Sequence, residues 1–265
     1  MNTLEPSSPT CALAVVAHGT RSPQGLAESR AFAQALSARL AWPTQLCFLE
    51  LAEPDLDAGL ALAAESVHGD GALVVLPLFL GAGDHYKSDT PDAMRRCAQR
   101  YPRLAFRYAA PLGPHSRLID LLRLRVEQAL AATPGAAPAQ ESAVLVVGRG
   151  SLEEDSNSEI ARAAYLLWSG AGWRTVEYAF QAVKHPTVEE GVARCRRLGA
   201  RQIVVAPYLL FAGRVYDDVC DVSARAAGPD LQIIHAGYLA GAGPSPHPWL
   251  VDVAEQRARE AGAWL

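Results

Sequence analysis

The sequence lacks three features that would quickly assign it to a functional class. Its five cysteines form no CxxC pair and no close cluster, and they are Cys11, Cys47, Cys97, Cys195 and Cys220. Its longest apolar runs, such as Ala72–Leu80, are the size of a strand and far shorter than the ~20 residues of a membrane-spanning helix. Its net charge of −4 gives no basic excess. A disulfide framework, an iron–sulfur cluster and a membrane span are therefore disfavoured.

These absences also bear on compartment and partners. Scattered cysteines in odd number favour free thiols in a reducing cytosol, so we expect a cytoplasmic protein. The slightly acidic charge predicts no nucleic-acid and no membrane partner. The first ten residues, Met1–Thr10, lack the basic and apolar segments of a signal peptide and predict a short disordered lead-in. The 265 residues, half of them hydrophobic, suit one large domain or two ordinary ones.

Short β-type runs alternate with helical periodicity in the first half of the chain. The predicted strands are Ala12–Ala17, Gln45–Leu49, Ala72–Leu80 and Leu104–Tyr108. The predicted helices are Leu26–Leu40, Leu56–Val67, Pro91–Arg100 and Ser116–Ala131. This alternation predicts an α/β fold with a parallel sheet covered by helices on both faces. The segment Ala132–Glu141, rich in proline, glycine and alanine, then predicts a linker.

The same pattern begins again after the linker. "AVLVVGRGS" echoes "LAVVAHGT", "EYAFQAVKHP" echoes "QLCFLELAEP", and "IVVAPYLLFAGRVYDDV" echoes "LVVLPLFLGAGDHYKSD". Together with a matching pair of histidines, His115 and His247, these landmarks are separated by 130 to 132 residues. The repetition predicts an internal duplication, with one α/β domain at 11–131, a linker at 132–141 and a second domain at 142–265.

Three polar residues follow consecutive strands of the first copy. His18 comes directly after the first strand, Glu50 ends the second, and His85 lies on a glycine-bracketed loop after the third. Because ligands bind at the carboxyl ends of strands in open parallel sheets, we expect these side chains to lie close together. Two imidazoles and a carboxylate suit a divalent cation such as Fe²⁺, Co²⁺, Ni²⁺ or Zn²⁺.

Each of these residues also has a purely structural interpretation. His18 could be a loop residue bonded to backbone, and Glu50 could cap the following helix. The second copy separates the two interpretations, because it has Arg149, Ala182 and Val215 at the three positions. The trio is lost as a set while the surrounding glycines, prolines and apolar strands are kept, which favours a functional site.

Several neighbouring residues have open roles. Asp84 and Asp89 flank His85, and they could either orient its imidazole or start the next helix. His115 and His247 occupy equivalent positions in both copies, near a helix start. Both are kept in the copy that lacks the trio. This favours a structural role, or a contact with the edges of a substrate, over metal ligation.

The motifs "HGTRSP", "FLELAEPDL" and "PLFLGAGDHYKSDTP", with "GRGS" and "PYLLFAG" in the second half, resemble those of the sirohydrochlorin chelatases. These class II tetrapyrrole chelatases insert Co²⁺ or Fe²⁺ without ATP. The resemblance covers nearly the whole chain after its first ten residues. It implies the long form of the family, with two flavodoxin-like halves in one polypeptide. It further implies that His18 and His85 bind the metal and are catalytic, that Glu50 assists, and that the second half has lost its site.

The resemblance makes the divalent metal a substrate, with sirohydrochlorin as its partner and no organic cofactor. The eight carboxylates of that macrocycle need cations, and the candidates on the carboxyl-end loops are Arg21, Lys87, Arg149 and Arg214. The siroheme and cobalamin pathways both remain open, and so does insertion of Ni²⁺. With one trio per chain, we expect one catalytic site and an active monomer.

Two other classes of function compete with this hypothesis. One is a non-catalytic carrier of metal or tetrapyrrole with the same fold, which the sequence does not exclude. The other is a flavodoxin-like binding module without metal. It is disfavoured because neither "HGTRSPQG" nor "GRGSLEED" forms a glycine-rich phosphate nest.

Overall fold

The computed structural model describes residues 11–169, 172–241, 243 and 245–263, so the predicted lead-in at Met1–Thr10 lies outside the described residues. The strands are β1 Cys11–Ala17, β2 Thr44–Phe48, β3 Ala72–Pro77, β4 Ala105–Tyr108, β5 Ser142–Gly148, β6 Thr175–Phe180, β7 Gln202–Pro207 and β8 Gln232–His235. The α-helices are α1 Pro23–Leu40, α2 Leu56–Glu65, α3 Thr90–Arg100, α4 Ser116–Ala131, α5 Glu154–Ser169, α6 Val188–Arg197, α7 Arg214–Ala224 and α8 Pro248–Gly262. Among the described residues, none of these helices is both long and apolar enough to cross a membrane.

The first sheet has the strand order β2-β1-β3-β4, and every pairing is parallel. Its two inner strands, β1 and β3, are buried along their whole length, as their unbroken apolar sequences predict for strands covered on both faces. Leu60 on α2 and Cys97 on α3 pack into the core beside them. The predicted α/β architecture is therefore confirmed for this sheet.

The second sheet repeats that order as β6-β5-β7-β8, again with parallel pairings. Leu145 at the centre of β5 pairs with Glu177 on one side and Val205 on the other. Val192 and Cys195 on α6 pack against this sheet as α2 packs against the first. The predicted duplication of one α/β unit is therefore confirmed in strand order and in packing.

Helix α1 begins earlier than the apolar periodicity indicates. The Ser22 hydroxyl accepts a hydrogen bond from the Gly25 backbone N–H at 3.3 Å, and Pro23 occupies the first turn. Serine before proline is a favoured helix start, because the side chain satisfies an N–H that has no partner within the helix. The helix therefore starts at Pro23, three residues before the predicted Leu26.

The segment before α3 contains a π-helical turn, His85–Asp89, which the sequence analysis did not predict. It joins α3 directly, so the helical segment starts five residues before Thr90. The sequence predicted that α3 starts at Pro91, and the α-helix itself starts one residue earlier, at Thr90. The wider turn upstream has no comparable signal in residue type.

The sequence repeats and the compact units of the structure are different divisions of the chain. Of the described residues, those at 11–79, 84–112 and 251–263 form one unit, and those at 80–83 and 113–250 form the other. Helix α4 belongs to the first repeat in sequence but to the second compact unit. Most of α8 belongs to the second repeat but to the first unit. The last helix of each repeat is thus exchanged.

Side-chain contacts anchor each exchanged helix in its unit. In α4, the Arg125 guanidinium donates hydrogen bonds to the carbonyl oxygens of Tyr238 and Leu239 at 3.1 and 2.8 Å. In α8, Arg257 donates to the Pro111 carbonyl at 3.0 Å. The predicted domain limits 11–131 and 142–265 follow the repeats in sequence and stay a prediction, whereas packing follows the compact units.

Candidate functional site

His18 is the first residue after β1, at the carboxyl edge of the first sheet. The next residue, Gly19, has φ +95°, and a Cβ there would lie 1.8 Å from the carbonyl oxygen of Glu50. Only glycine allows the chain to pass so close. The Glu50 N–H then donates to the His18 carbonyl at 3.1 Å, so the backbone itself sets the two residues side by side.

The side chains of His18 and Glu50 also meet. His18 Nδ1 lies 3.3 Å from Glu50 Oε1. The histidine side chain is 29 % exposed and that of the glutamate 52 % exposed, so both are open to solvent. A carboxylate beside an imidazole favours a bound cation and can accept a proton from the ring.

His85 reaches the same edge from the π-helical turn after β3. Its ring centroid lies 4.9 Å from that of His18, with the two ring planes nearly perpendicular at 86°. Its side chain is 39 % exposed, and its Nδ1 lies 2.6 Å from Asp89 Oδ2. The sequence expectation that His18, Glu50 and His85 lie at one edge of one sheet therefore agrees with the structure.

The three side chains do not form a finished metal site. Within the described residues, no three histidine, cysteine, aspartate or glutamate side chains are grouped so that they could hold a metal ion. His18 contacts both Glu50 and His85. Ligation by all three would need side-chain rotation as the ion arrives, and it stays a prediction.

The second repeat keeps the backbone of this site but not its side chains. The Ala182 N–H donates to the Arg149 carbonyl at 3.0 Å, and Gly150 has φ +89° with a Cβ position 1.9 Å from the Ala182 oxygen. These contacts reproduce those of His18, Gly19 and Glu50, so the predicted equivalence of Arg149 and Ala182 with His18 and Glu50 is confirmed. The scaffold therefore folds without the imidazole and the carboxylate.

Ion pairs occur on the second edge in place of the trio. The ammonium of Lys184 lies 2.5 Å from Glu154 Oε1, and this hydrogen bond lowers the pKa of the Glu154 carboxyl. The Arg214 guanidinium, 92 % exposed, lies 3.6 Å from Asp218 Oδ2. Exposed ion pairs of this kind contribute little to stability.

The four cations predicted to bind substrate carboxylates are divided between the two compact units. Arg21 and Lys87 belong to the unit with the histidines, and Arg149 and Arg214 belong to the other. All four side chains are exposed on segments that follow a strand. Their predicted role is compatible with this exposure and stays a prediction.

Two neighbouring predictions can now be compared with the structure. Asp89 contacts the His85 ring, as the interpretation that it orients this imidazole requires. Asp84, the residue before the π-helical turn, makes no side-chain capping bond. His115 Nδ1 accepts from the Arg117 N–H at 3.1 Å, and His247 Nδ1 accepts from the Trp249 N–H at 3.3 Å. Both histidines bond the first turn of a helix, which agrees with a structural part, one of the two roles that the sequence left open for them; a contact with substrate edges stays a prediction.

Sequence reasoning missed Thr90. This residue is fully buried, and its hydroxyl donates to the His85 carbonyl at 2.8 Å. A buried threonine five residues after a candidate ligand has no distinctive sequence pattern. The one usable signal was the second copy, which has Cys220 at the corresponding position.

A cavity of about 560 Å³ lies away from the strand ends, beside the linker. It is lined by Arg123 and Leu130 of α4, by Pro138 and by Trp173. None of the predicted site residues lines it. Its position next to the linker gives it no part in the candidate metal site.

Comparison with known proteins decides the family. The protein-family model CbiX matches residues 12–129 and, a second time, residues 143–261. The chain belongs to the CbiX family. The double match of this CbiX-family chain coincides with the two sequence repeats, so the resemblance stated from the motifs is confirmed.

Two curated relatives match most of the chain. A sirohydrochlorin cobaltochelatase of Priestia megaterium is 30% identical over 251 residues, which cover 92% of this chain and 78% of the relative. A sirohydrochlorin ferrochelatase of the same organism is 30% identical over 229 residues, which cover 86% and 84%. The relatives therefore include enzymes named for cobalt and for iron.

Solved structures agree on the fold. SirB from Bacillus subtilis with Fe³⁺ superposes with a TM-score of 0.79 at 24% identity, covering 96% of each chain. SirB from Bacillus subtilis subspecies spizizenii in complex with cobalt superposes with a TM-score of 0.72 at 24% identity, covering 96% of this chain and 95% of that one. At this identity the likeness establishes the shared two-repeat α/β fold.

Proposed function

We propose that this chain inserts a divalent metal into sirohydrochlorin without ATP, as a sirohydrochlorin chelatase in siroheme or cobalamin formation. The observation that carries the proposal is the meeting of His18 with both Glu50 and His85 at one sheet edge. The curated relatives in the family, named for insertion of cobalt and of iron, support it. Co²⁺ and Fe²⁺ are the proposed metal substrates, and Ni²⁺ is a further candidate.

The reaction exchanges one cation for two protons. Sirohydrochlorin has four central nitrogens, two of which carry a proton that must leave as the M²⁺ ion enters. A neutral imidazole of His18 or His85 binds the incoming ion through its unprotonated nitrogen. Once the ion has passed to the macrocycle, the freed nitrogen can accept a proton near neutral pH. Glu50, 3.3 Å from His18 Nδ1, stabilises the cation and can pass a proton on to water. The products are the metallated macrocycle and two solvated protons.

A site with open coordination positions suits the transfer of a metal ion to the macrocycle. The ion must leave for the macrocycle, so a closed four-ligand site would retain it, whereas few ligands and open positions let it go. The partial exposure of both histidines allows a hydrated ion to arrive and lose its waters stepwise. The absence of a finished three-ligand cage among the described residues is compatible with a transfer site.

The exposed cations Arg21, Lys87, Arg149 and Arg214 are proposed to bind carboxylates of the macrocycle. Arginine pairs with carboxylates in bidentate fashion, and lysine supplies a point charge. Arg149 is the best supported of the four, because it occupies the position of His18 in the repeat that has no trio. A charge-assisted hydrogen bond contributes about 1.5–3 kcal/mol, which corresponds to roughly 10- to 100-fold in affinity.

The further proposals concern setting and assembly. We infer that the reaction needs no organic cofactor, that it takes place in the cytoplasm and that the chain acts as a monomer with one catalytic metal. Five free cysteines, four of them buried, suit a reducing compartment. The loss of the trio from the second repeat supports one site per chain. Size-exclusion chromatography with activity measured across the peak tests the active monomer.

The test is a metallation assay followed by the absorption spectrum of sirohydrochlorin, run with Co²⁺, Fe²⁺ and Ni²⁺. We expect many turnovers per chain, whereas a carrier would give a change that stops at one equivalent. His85→Ala should lower the rate at least ~100-fold, because general acid–base groups contribute about that much. Val215→Ala, its counterpart in the second repeat, is the matched control and should leave the rate unchanged.

Arg149→Ala separates the two proposed roles. We expect it to raise the KM for sirohydrochlorin roughly 10- to 100-fold while the maximal rate stays near that of the unaltered protein. A variant with an unchanged KM and a lower maximal rate would contradict the assignment of Arg149 to substrate binding. Metallation by the unaltered chain that stops at one equivalent would contradict the proposal that the chain is an enzyme.

A further inference from the structure

The turn that carries His85 is wider than an α-helical turn. In this π-helical segment the Thr90 backbone N–H donates to the carbonyl of His85, five residues earlier. The Thr90 hydroxyl donates to the same oxygen at 2.8 Å. Because Thr90 is fully buried, this double attachment ties the His85 backbone to the protein interior.

The imidazole is held at its other end by Asp89. Nδ1 of His85 lies 2.6 Å from Oδ2 of Asp89. An ionised carboxylate only accepts hydrogen bonds, so Nδ1 carries the hydrogen in this contact. The lone pair then lies on Nε2, which is the ring nitrogen available to a metal ion.

The second repeat shows what the scaffold does without these contacts. The positions of His85, Asp89 and Thr90 correspond to Val215, Val219 and Cys220, and all three lie in the ordinary α-helix α7. The imidazole, its carboxylate partner, the threonine hydroxyl and the π-helical turn are therefore all missing together.

The apolar packing around the same segment is kept in both repeats. Tyr86 stacks on Tyr108 with ring centroids 4.6 Å apart, and Tyr216 meets Tyr238 edge to face at 5.1 Å. Tyrosine pairs at matching positions thus pack against the π-helical turn in the first repeat and against α7 in the second. Packing needs neither the wide turn nor the Asp89 carboxylate, so these features serve His85.

We propose that Asp89 and Thr90 are positioning residues for metal binding by His85, an inference that rests on the proposed role of this histidine. Asp89 fixes the tautomer and the orientation of the ring. Thr90 holds the backbone in the wide turn that presents the ring to His18. Partners of this kind typically change metal affinity or activity by 10- to 100-fold when they are removed.

The experiment measures Co²⁺ binding to the full chain without the macrocycle, using the absorption of the bound ion, and then the KM for Co²⁺ and kcat with sirohydrochlorin. Asp89→Ala and Thr90→Val should weaken Co²⁺ binding about 10- to 100-fold and raise the KM for Co²⁺, with a smaller change in kcat at saturating metal. Asp92→Ala is the matched control, because Asp92 is an exposed carboxylate of α3 whose described partner is Arg95. It should bind Co²⁺ within twofold of the unaltered chain.

Thr90→Ser keeps the hydroxyl and should stay within about threefold of the unaltered chain in Co²⁺ affinity. A purely steric role for Thr90 would instead leave Thr90→Val, which keeps the shape of the side chain, with the higher affinity of the two variants, and that result would overturn the role of the hydroxyl. Asp89 is half-exposed, so Asp89→Ala decides the question even where Thr90→Val fails to fold. Unchanged Co²⁺ affinity in Asp89→Ala overturns the inference, and so does undiminished Co²⁺ binding by His85→Ala or no binding by the unaltered chain. If the unaltered chain binds Co²⁺ but does not turn over, the proposed function fails, and the Asp89→Ala binding result still decides the inference.

Discussion

Replacing Gly19 by alanine should weaken both folding and metal binding, whereas the same change at Gly150 should weaken folding alone. The two glycines are matched, with φ of +95° and +89° and Cβ positions 1.8 and 1.9 Å from a carbonyl oxygen. The two glycines differ in the residue whose carbonyl oxygen they face. At Gly19 it is Glu50, beside His18, and at Gly150 it is Ala182, beside Arg149.

The size of the loss follows from two effects. A left-handed backbone costs a residue with a Cβ about 1–2 kcal/mol. Relief of the clash with the facing carbonyl by a backbone shift adds about 1–3 kcal/mol, as in overpacked cores. Each variant should therefore lose ~2–5 kcal/mol of unfolding free energy. Gly69→Ala is the control for strain alone, because Gly69 has φ +72° but open space around its Cβ position, and it should lose ~1–2 kcal/mol.

The effect on metal follows from the same geometry. Pushing the Glu50 carbonyl away breaks its alignment with His18, so Co²⁺ affinity of Gly19→Ala should fall at least ~10-fold. Gly150→Ala and Gly69→Ala should stay within twofold of the unaltered chain. Urea unfolding followed by circular dichroism gives the stabilities, and Co²⁺ titration at a temperature where all variants are folded gives the affinities. Full Co²⁺ affinity in Gly19→Ala, or an equal loss in Gly150→Ala, would refute the reasoning.

Two further predictions concern titratable groups outside the site. Burial lowers the pKa of His235 below its ordinary value of 6.5, so the unfolded chain takes up a proton more readily. Stability should be full above pH 6.5 and should decline as the pH falls below it. The urea midpoint of His235→Gln should decline less steeply from pH 7.5 to 5.5, and parallel declines would argue against this cause. Burial also raises the pKa of Cys47 and Cys195 to about 12, so at pH 8 their thiolates are scarce. A thiol reagent should modify the partly exposed Cys220 first in the native protein, and peptide mass spectrometry showing early labelling of Cys47 would contradict this.

The elements that the sequence predicted best are those whose signal is local. Helix α4 begins and ends at the predicted Ser116 and Ala131, because a capping histidine precedes an amphipathic run. Strand β3 was predicted to reach Leu80 but ends at Pro77. Leu78 to Leu80 remain apolar after the chain has left the sheet, so hydropathy alone could not mark that end.

The arrangement of the site was predictable only in part. Strand ends brought His18, Glu50 and His85 to one edge, since parallel strands of an open sheet share that edge. The contact of His85 with Asp89 lies within the π-helical turn, which no residue pattern predicted. The exchange of α4 and α8 between the compact units could not be predicted either, because the strands of the two sheets have similar apolar sequences and do not specify which helix covers them.

That exchange sets the order in which a growing chain can finish its two units. A ribosome releases the N-terminal sequence first, and domains generally fold as their residues emerge. Here the compact unit that holds the histidines includes residues 251–263, which are synthesised after every residue of the other unit, whose last residue is Leu250. Most of the first repeat therefore belongs to the unit that is completed second. The unit that carries the two imidazoles is therefore completed only after residues 251–263 have been synthesised.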